Sequence, residues 1–97
     1  MPYVYILECA DHTLYVGSTR DITVRFAQHA SGHGAEYTKR RLPVRLVWSE
    51  EFERVEEAFA WEKRIRGWSH DKRGALISGG LEAVRGWSRR HRSQRSG

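Results

Sequence analysis

Along the chain the spacing of apolar positions changes period several times. Residues 3–9 are β-branched and aromatic, residues 10–13 are polar enough to turn, and Leu14, Tyr15 and Val16 resume as a second short strand. This predicts an antiparallel hairpin ending at Gly17. A period of two puts Tyr3, Tyr5 and Leu7 on one face and Val4 and Ile6 on the other. Neither face is plainly polar, so at least one must meet a helix. After a capping cluster at residues 18–21 the period turns helical, and Ile22, Phe26 and His29 share one stripe up to about Ala30, with Arg25 beside it. Ser31, Gly32, His33 and Gly34 stop that helix, and a basic loop through residues 38–41 leads past Pro43 to a third strand over 44–52.

Residues 54–66 start acidic and end basic, as the helix dipole prefers, and stop at Gly67. Residues 69–77 predict a further helix capped by Ser69, broken by Ser78, Gly79 and Gly80, with helix resuming over 81–87. On the 54–66 helix, Val55, Ala58, Phe59 and Ile65 form the apolar stripe, and Glu62 falls in its middle. A carboxylate there is costly unless a cation, a metal or hydrogen bonds satisfy it. A structural salt bridge and a metal-binding carboxylate both answer that need.

The 97 residues suit one domain. The 20 Leu, Ile, Val and Phe residues all lie within positions 1–84, enough for a core. Charge is divided as unevenly: positions 1–84 carry 12 Lys and Arg against 12 Asp and Glu, so the net +5 lies in Arg85, Arg89, Arg90, Arg92 and Arg95. The expected organisation is a domain over 1–84 and an Arg-rich, flexible C-terminal tail over 85–97. Fourteen of the 17 basic residues are Arg, whose planar fork suits phosphate and base stacking, which favours a nucleic-acid partner. A single Cys9 excludes an intrachain disulfide and a multi-cysteine zinc site. With no long apolar run and no basic leader pattern, the expected setting is the cytoplasm, away from membranes.

Two strand tyrosines, Tyr5 and Tyr15, join Arg25, His29 and Glu62 as polar groups on or beside apolar stripes. Together they offer two hydroxyls, a phosphate clamp, a titratable base and a cation ligand. Phosphodiester hydrolysis needs those roles: a water to deprotonate, phosphoryl charge to neutralise and a leaving oxygen to stabilise.

Tyr3-Val4-Tyr5 followed by Tyr15-Val16-Gly17 resembles the paired motif of the GIY-YIG nucleases, with Tyr3 in place of the usual first Gly. The resemblance extends to Arg25, ten residues beyond Tyr15, to His29, and to Glu62 at the family's metal-binding glutamate. It also takes in Tyr37-Thr38, residues 43–47 and residues 62–66, which look like the small stand-alone, single-domain (YhbQ-like) group. The fold implied is α+β: a small three-stranded antiparallel sheet flanked by helices. Two departures stand out. The chain has no Asn, which many members use near the site, and Ser18 stands where some place a lysine, with Arg20 the nearest replacement.

By this resemblance the protein is a divalent-metal-dependent endonuclease cutting DNA, with RNA left open, on branched or damaged structures in repair or recombination. Tyr15 would act on water, Tyr5 would support it, Arg25 would hold the phosphate, and Glu62 would bind one Mg²⁺ or Mn²⁺, as a lone carboxylate suits one hydrated ion. His29 offers a second proton route, directly or as a relay from Tyr15. Gly17 is the motif's backbone glycine. Arg20, Lys39, Arg40, Arg41 and Arg45, with Arg89, Arg90 and Arg92 of the tail, would contact phosphates without reading sequence, with Trp87 available to stack. The alternative is a catalytically weak nucleic-acid-binding module on the same fold.

Overall fold

β-branched and aromatic residues at both ends of the chain's first turn pair as expected: β1 (Tyr3–Glu8) runs antiparallel to β2 (Leu14–Thr19). The turn between them closes with Cys9 N–H donating to the Thr13 carbonyl and places His12 in the left-handed region at φ 67°. A computed structural model describes residues 1–87. β3 (Arg45–Glu51) pairs with the other edge of β1, giving the sheet order β2-β1-β3. Its register shifts between Ile6 and Leu7, which face Trp48 and Leu46. β1 is thus the central strand, and Val4, Tyr5, Ile6 and Leu7 are at most 2 % exposed on its two faces.

The hairpin does not end at Gly17. β2 continues through Gly17 to Thr19, because Gly17 lies opposite Tyr5 in an unbroken ladder and serves packing, not a turn. Only Asp21 of the expected capping cluster caps: its carboxylate accepts from the Val24 N–H that opens α1 (Ile22–Ala30). Ile22 and Phe26 of the expected stripe are half-buried, and His29 is fully buried. Part of the expected basic loop is helical, as α2 (Glu36–Lys39).

α3 (Val55–Arg66) lies against β2 and β1. Ala58 and Ile65 are buried and Glu62 stands between them, but Phe59 is 58 % exposed and leaves the stripe. At about 100° per residue, Phe59 is roughly 80° from the midline of residues 55, 58, 62 and 65. The chain divides into two compact units, one over Met1–Gly67 and a second from Trp68 onward. The second carries α4 (His70–Val84), capped by Ser69. The expected break falls at Gly80, whose φ of 72° and ψ of −168° only glycine adopts readily. Of the proposed tail, Arg89, Arg90, Arg92 and Arg95 lie outside the described residues.

Candidate active site

Tyr5 stands in the middle of the central strand, and its partner across the ladder on the edge strand β2 is Gly17. The tyrosine ring leans across that gap. A methyl group added to Gly17 would stand 2.5 Å from the Tyr5 hydroxyl oxygen, so the absent side chain is what lets the phenol reach the outer strand. Burial pushes the Tyr5 pKa well above its ordinary value; the neighbouring Tyr15 adds to this, and Arg25 acts against it. The Glu62 carboxylate raises it further and Arg66 lowers it, so all four groups lie within electrostatic reach of one phenol.

His29, in the last turn of α1, meets that phenol from the helix side. Its Nε2 lies 2.9 Å from the Tyr5 hydroxyl and its Nδ1 lies 2.8 Å from the Thr38 hydroxyl on α2. The Thr38 hydroxyl donates its one proton to the Ala35 carbonyl at 3.0 Å. It must therefore accept from His29 Nδ1–H, which leaves Nε2 bare to accept from Tyr5. The hydrogen-bond network thus assigns His29 as the neutral Nδ1–H tautomer. Burial lowers the His29 pKa, and the Arg25 charge lowers it further, which agrees with that neutral state. Gly34 backs the ring: a methyl there would collide with the imidazole.

Tyr15 is half-buried, its ring tilted 5.2 Å from His29 and stacked 6.1 Å from Tyr37. Unlike Tyr5, its hydroxyl has no hydrogen-bond partner among the described residues, so it is the phenol open to water. Arg25 lies on the exposed side of α1, one turn before His29, and its guanidinium forms no ion pair among the described residues.

Glu62 is held from two sides. Ser18 Oγ of β2 donates to Oε1 at 2.6 Å, and Arg66, one turn along α3, pairs with Oε2 at 2.6 Å. Arg66 also reaches the Val16 carbonyl through Nε and Nη2, at 3.4 and 3.3 Å. The salt bridge that the sequence offered as one explanation of Glu62 is therefore present. Each carboxylate oxygen keeps a second lone pair, and among the described residues no group of three or more His, Cys, Asp or Glu side chains forms a cage. This donor set fits one hard, largely hydrated cation and does not fit a zinc-type site.

The predicted phosphate contacts divide. Arg41 donates to Asp11 at 3.1 Å and to the Tyr37 carbonyl at 2.9 Å, and lies 3.9 Å over the Tyr37 ring. Arg45 pairs with Glu8 at 2.6 Å and Lys39 with Glu36 at 4.0 Å. Arg20 and Arg40 are exposed, with no ion pair among the described residues. Arg89, Arg90 and Arg92 lie outside those residues. The residues that sequence reasoning left without a role are Thr38, Gly34 and Arg66. Of these only Arg66 had a local signal, four residues after Glu62 on the same helix face.

Comparison with known proteins agrees with this arrangement. Residues 1–74 match the family described as the GIY-YIG catalytic domain. The UPF0213 protein BH0048 of Halalkalibacterium halodurans is 47 % identical over 76 residues, covering 78 % of this chain and 81 % of that protein. A UPF0213 protein of Halobacterium salinarum is 43 % identical over 77 residues, covering 79 % of this chain and all of that protein. The solution NMR structure of BH0048 superposes with a TM-score of 0.54 at 43 % identity, covering 89 % of this chain and 96 % of that one. No helix among the described residues is long and apolar enough to cross a membrane. The chain belongs to the GIY-YIG family, a family of nucleases that generally work with divalent metal ions, and its relatives are small, stand-alone, single-domain UPF0213 proteins.

Proposed function

We propose that the protein is a divalent-metal-dependent endonuclease that hydrolyses DNA phosphodiester bonds, with branched or damaged structures in repair or recombination as its substrates and the cytoplasm as its setting. The observation that carries this reading is the meeting, around the Tyr5 phenol, of Tyr15, Arg25, His29 and Glu62. Tyr15 is the hydroxyl left for the attacking water, which it orients and deprotonates. Tyr5 commits its proton to His29 and stays neutral, so it positions and does not act as a base. His29 has both nitrogens engaged and works through Tyr5, as a fixed acceptor, in preference to meeting water itself. Arg25 clamps the scissile phosphate. Glu62 would hold one Mg²⁺ or Mn²⁺, which when bound neutralises charge on the phosphoryl and leaving oxygens. Arg20 and Arg40, with the tail arginines, add contacts to neighbouring phosphates.

A second reading, a nucleic-acid-binding module with weak catalysis, is favoured by one observation: the Arg66 guanidinium already sits on Glu62. The test is nicking of supercoiled plasmid and of a labelled branched DNA with Mg²⁺ or Mn²⁺, using the unmodified protein, Glu62→Ala and Tyr15→Phe. Cleavage that both substitutions abolish supports the nuclease. Equal cleavage by all three proteins overturns the site. DNA binding with no cleavage by any of them selects the binding module.

A further inference from the structure

A cavity of about 310 Å³ opens beside Ser18, the residue that donates to Glu62, and nothing in the hydrolytic scheme uses it. Phe59, Val55 and Ala58 of α3 form one wall and Pro2 and Ser18 the other, with Arg20 beside them. The volume is at the small end of the ~300–1,000 Å³ range of ligand pockets, room for one planar ring system. We propose that this cavity receives an unpaired nucleobase next to the scissile phosphate, and so selects substrates whose strand carries an unstacked base. The proposal rests on the reading of this edge of the sheet as a nucleic-acid site.

Three observations commit the cavity to that occupant. The first is Phe59, a large apolar side chain left 58 % exposed on a helix whose buried residues are Ala58 and Ile65. An exposed aromatic ring bordering an apolar cleft is a stacking platform, and stacking tolerates any base because every base has a π-face. The second is continuity with the catalytic carboxylate. Ser18 lines the cavity and donates to Glu62, and Ala58 and Phe59 precede Glu62 by about one helical turn, ~5.4 Å. A base seated there belongs to a nucleotide adjoining the phosphate at Glu62 and Arg25. The third is charge. Arg20 lines the cavity, is exposed and has no ion pair among the described residues, so its guanidinium is available to the phosphate of a nucleotide seated there.

The experiment measures binding in EDTA, where no hydrolysis occurs, to three duplexes: one with a single bulged 2-aminopurine, one with an abasic residue at the bulge, and one fully paired. The unmodified protein is expected to bind the bulged base roughly 5- to 160-fold more tightly than the abasic bulge. Its 2-aminopurine fluorescence should change on binding. Phe59→Ala should erase that preference and Phe59→Trp should keep it. Because the side chain is largely exposed, both variants should retain the thermal midpoint of the unmodified protein, which is checked first. Equal binding to all three duplexes, binding to none, or a preference that survives Phe59→Ala overturns the proposal. So does a Phe59-dependent self-association that the bulged DNA does not displace, since the face would then cover a second copy of the chain. Plasmid nicking with Mn²⁺ is run in parallel. Nicking without base preference defeats the cavity alone, and base preference without nicking defeats the nuclease reading alone.

Discussion

Thr38 has a single hydroxyl proton, and because it goes to the Ala35 carbonyl the tautomer of a histidine nine residues away is decided. Thr38→Val keeps the shape and removes the acceptor, leaving a buried Nδ1–H unsatisfied, at a cost of roughly 1–3 kcal/mol. Thermal unfolding should show that loss, and Thr38→Ser should restore most of it. The same chain of hydrogen bonds sets a pH window. His29 is lowered from its ordinary pKa of ~6.5, so as pH falls below that value the unfolded chain takes up the proton first. The stability present above ~6.5 is therefore lost as pH falls toward the folded pKa. Tyr5 is raised, so above pH ~10 the unfolded chain ionises first and stability falls again. Urea titrations across pH should show both limbs, the alkaline one flattened in Tyr5→Phe and the acidic one in His29→Gln. At this scale the sequence is informative wherever a polar residue interrupts an apolar pattern, as Glu62 and His29 do. It gives Thr38 a place in the resemblance but no role, because that role exists only once α2 is folded against α1.

Gly17 shows what is legible one level up, and what is not. A glycine after a short strand reads equally well as the end of a hairpin or as a gap for a neighbour's side chain, and only the Tyr5 ring across the ladder decides between them. Gly17→Ala is accordingly expected to behave as an overpacking substitution, destabilising by about 1–3 kcal/mol and displacing the Tyr5 hydroxyl from His29. Shrinking the ring's position as well, in the double variant with Tyr5→Leu, should recover part of the loss, and denaturant melts of the four proteins would reveal that non-additivity. Phe59 failed to follow the stripe for a related reason: a helical period fixes angles, but the width of the buried face depends on how far the sheet reaches. The strand and helix order, the Gly80 break and the Ser69 cap needed no such tertiary information, because turn residues and capping hydroxyls act locally.

Across the whole molecule the charge is segregated: positions 1–84 are formally neutral and the five arginines beyond carry the excess. If those arginines meet phosphates, removing residues 85–97 should weaken DNA binding and flatten its salt dependence, by ~0.9 in log–log slope for each phosphate no longer neutralised. Fluorescence anisotropy at several salt concentrations would read both, and an unchanged slope would confine the DNA-binding surface to positions 1–84. The two edge strands of the sheet also differ in character. β3 carries Arg45, Glu50 and Glu51, whereas β2 has no charged residue between Leu14 and Thr19. An uncharged edge left uncovered is open to strand addition by another molecule, but no residue of β2 is exposed. The guanidinium that orients Glu62 also occupies the Val16 carbonyl of that strand. Arg66 thus covers a backbone acceptor of that edge while it pairs with Glu62, so one side chain ties the sheet edge to the carboxylate that the proposed function needs.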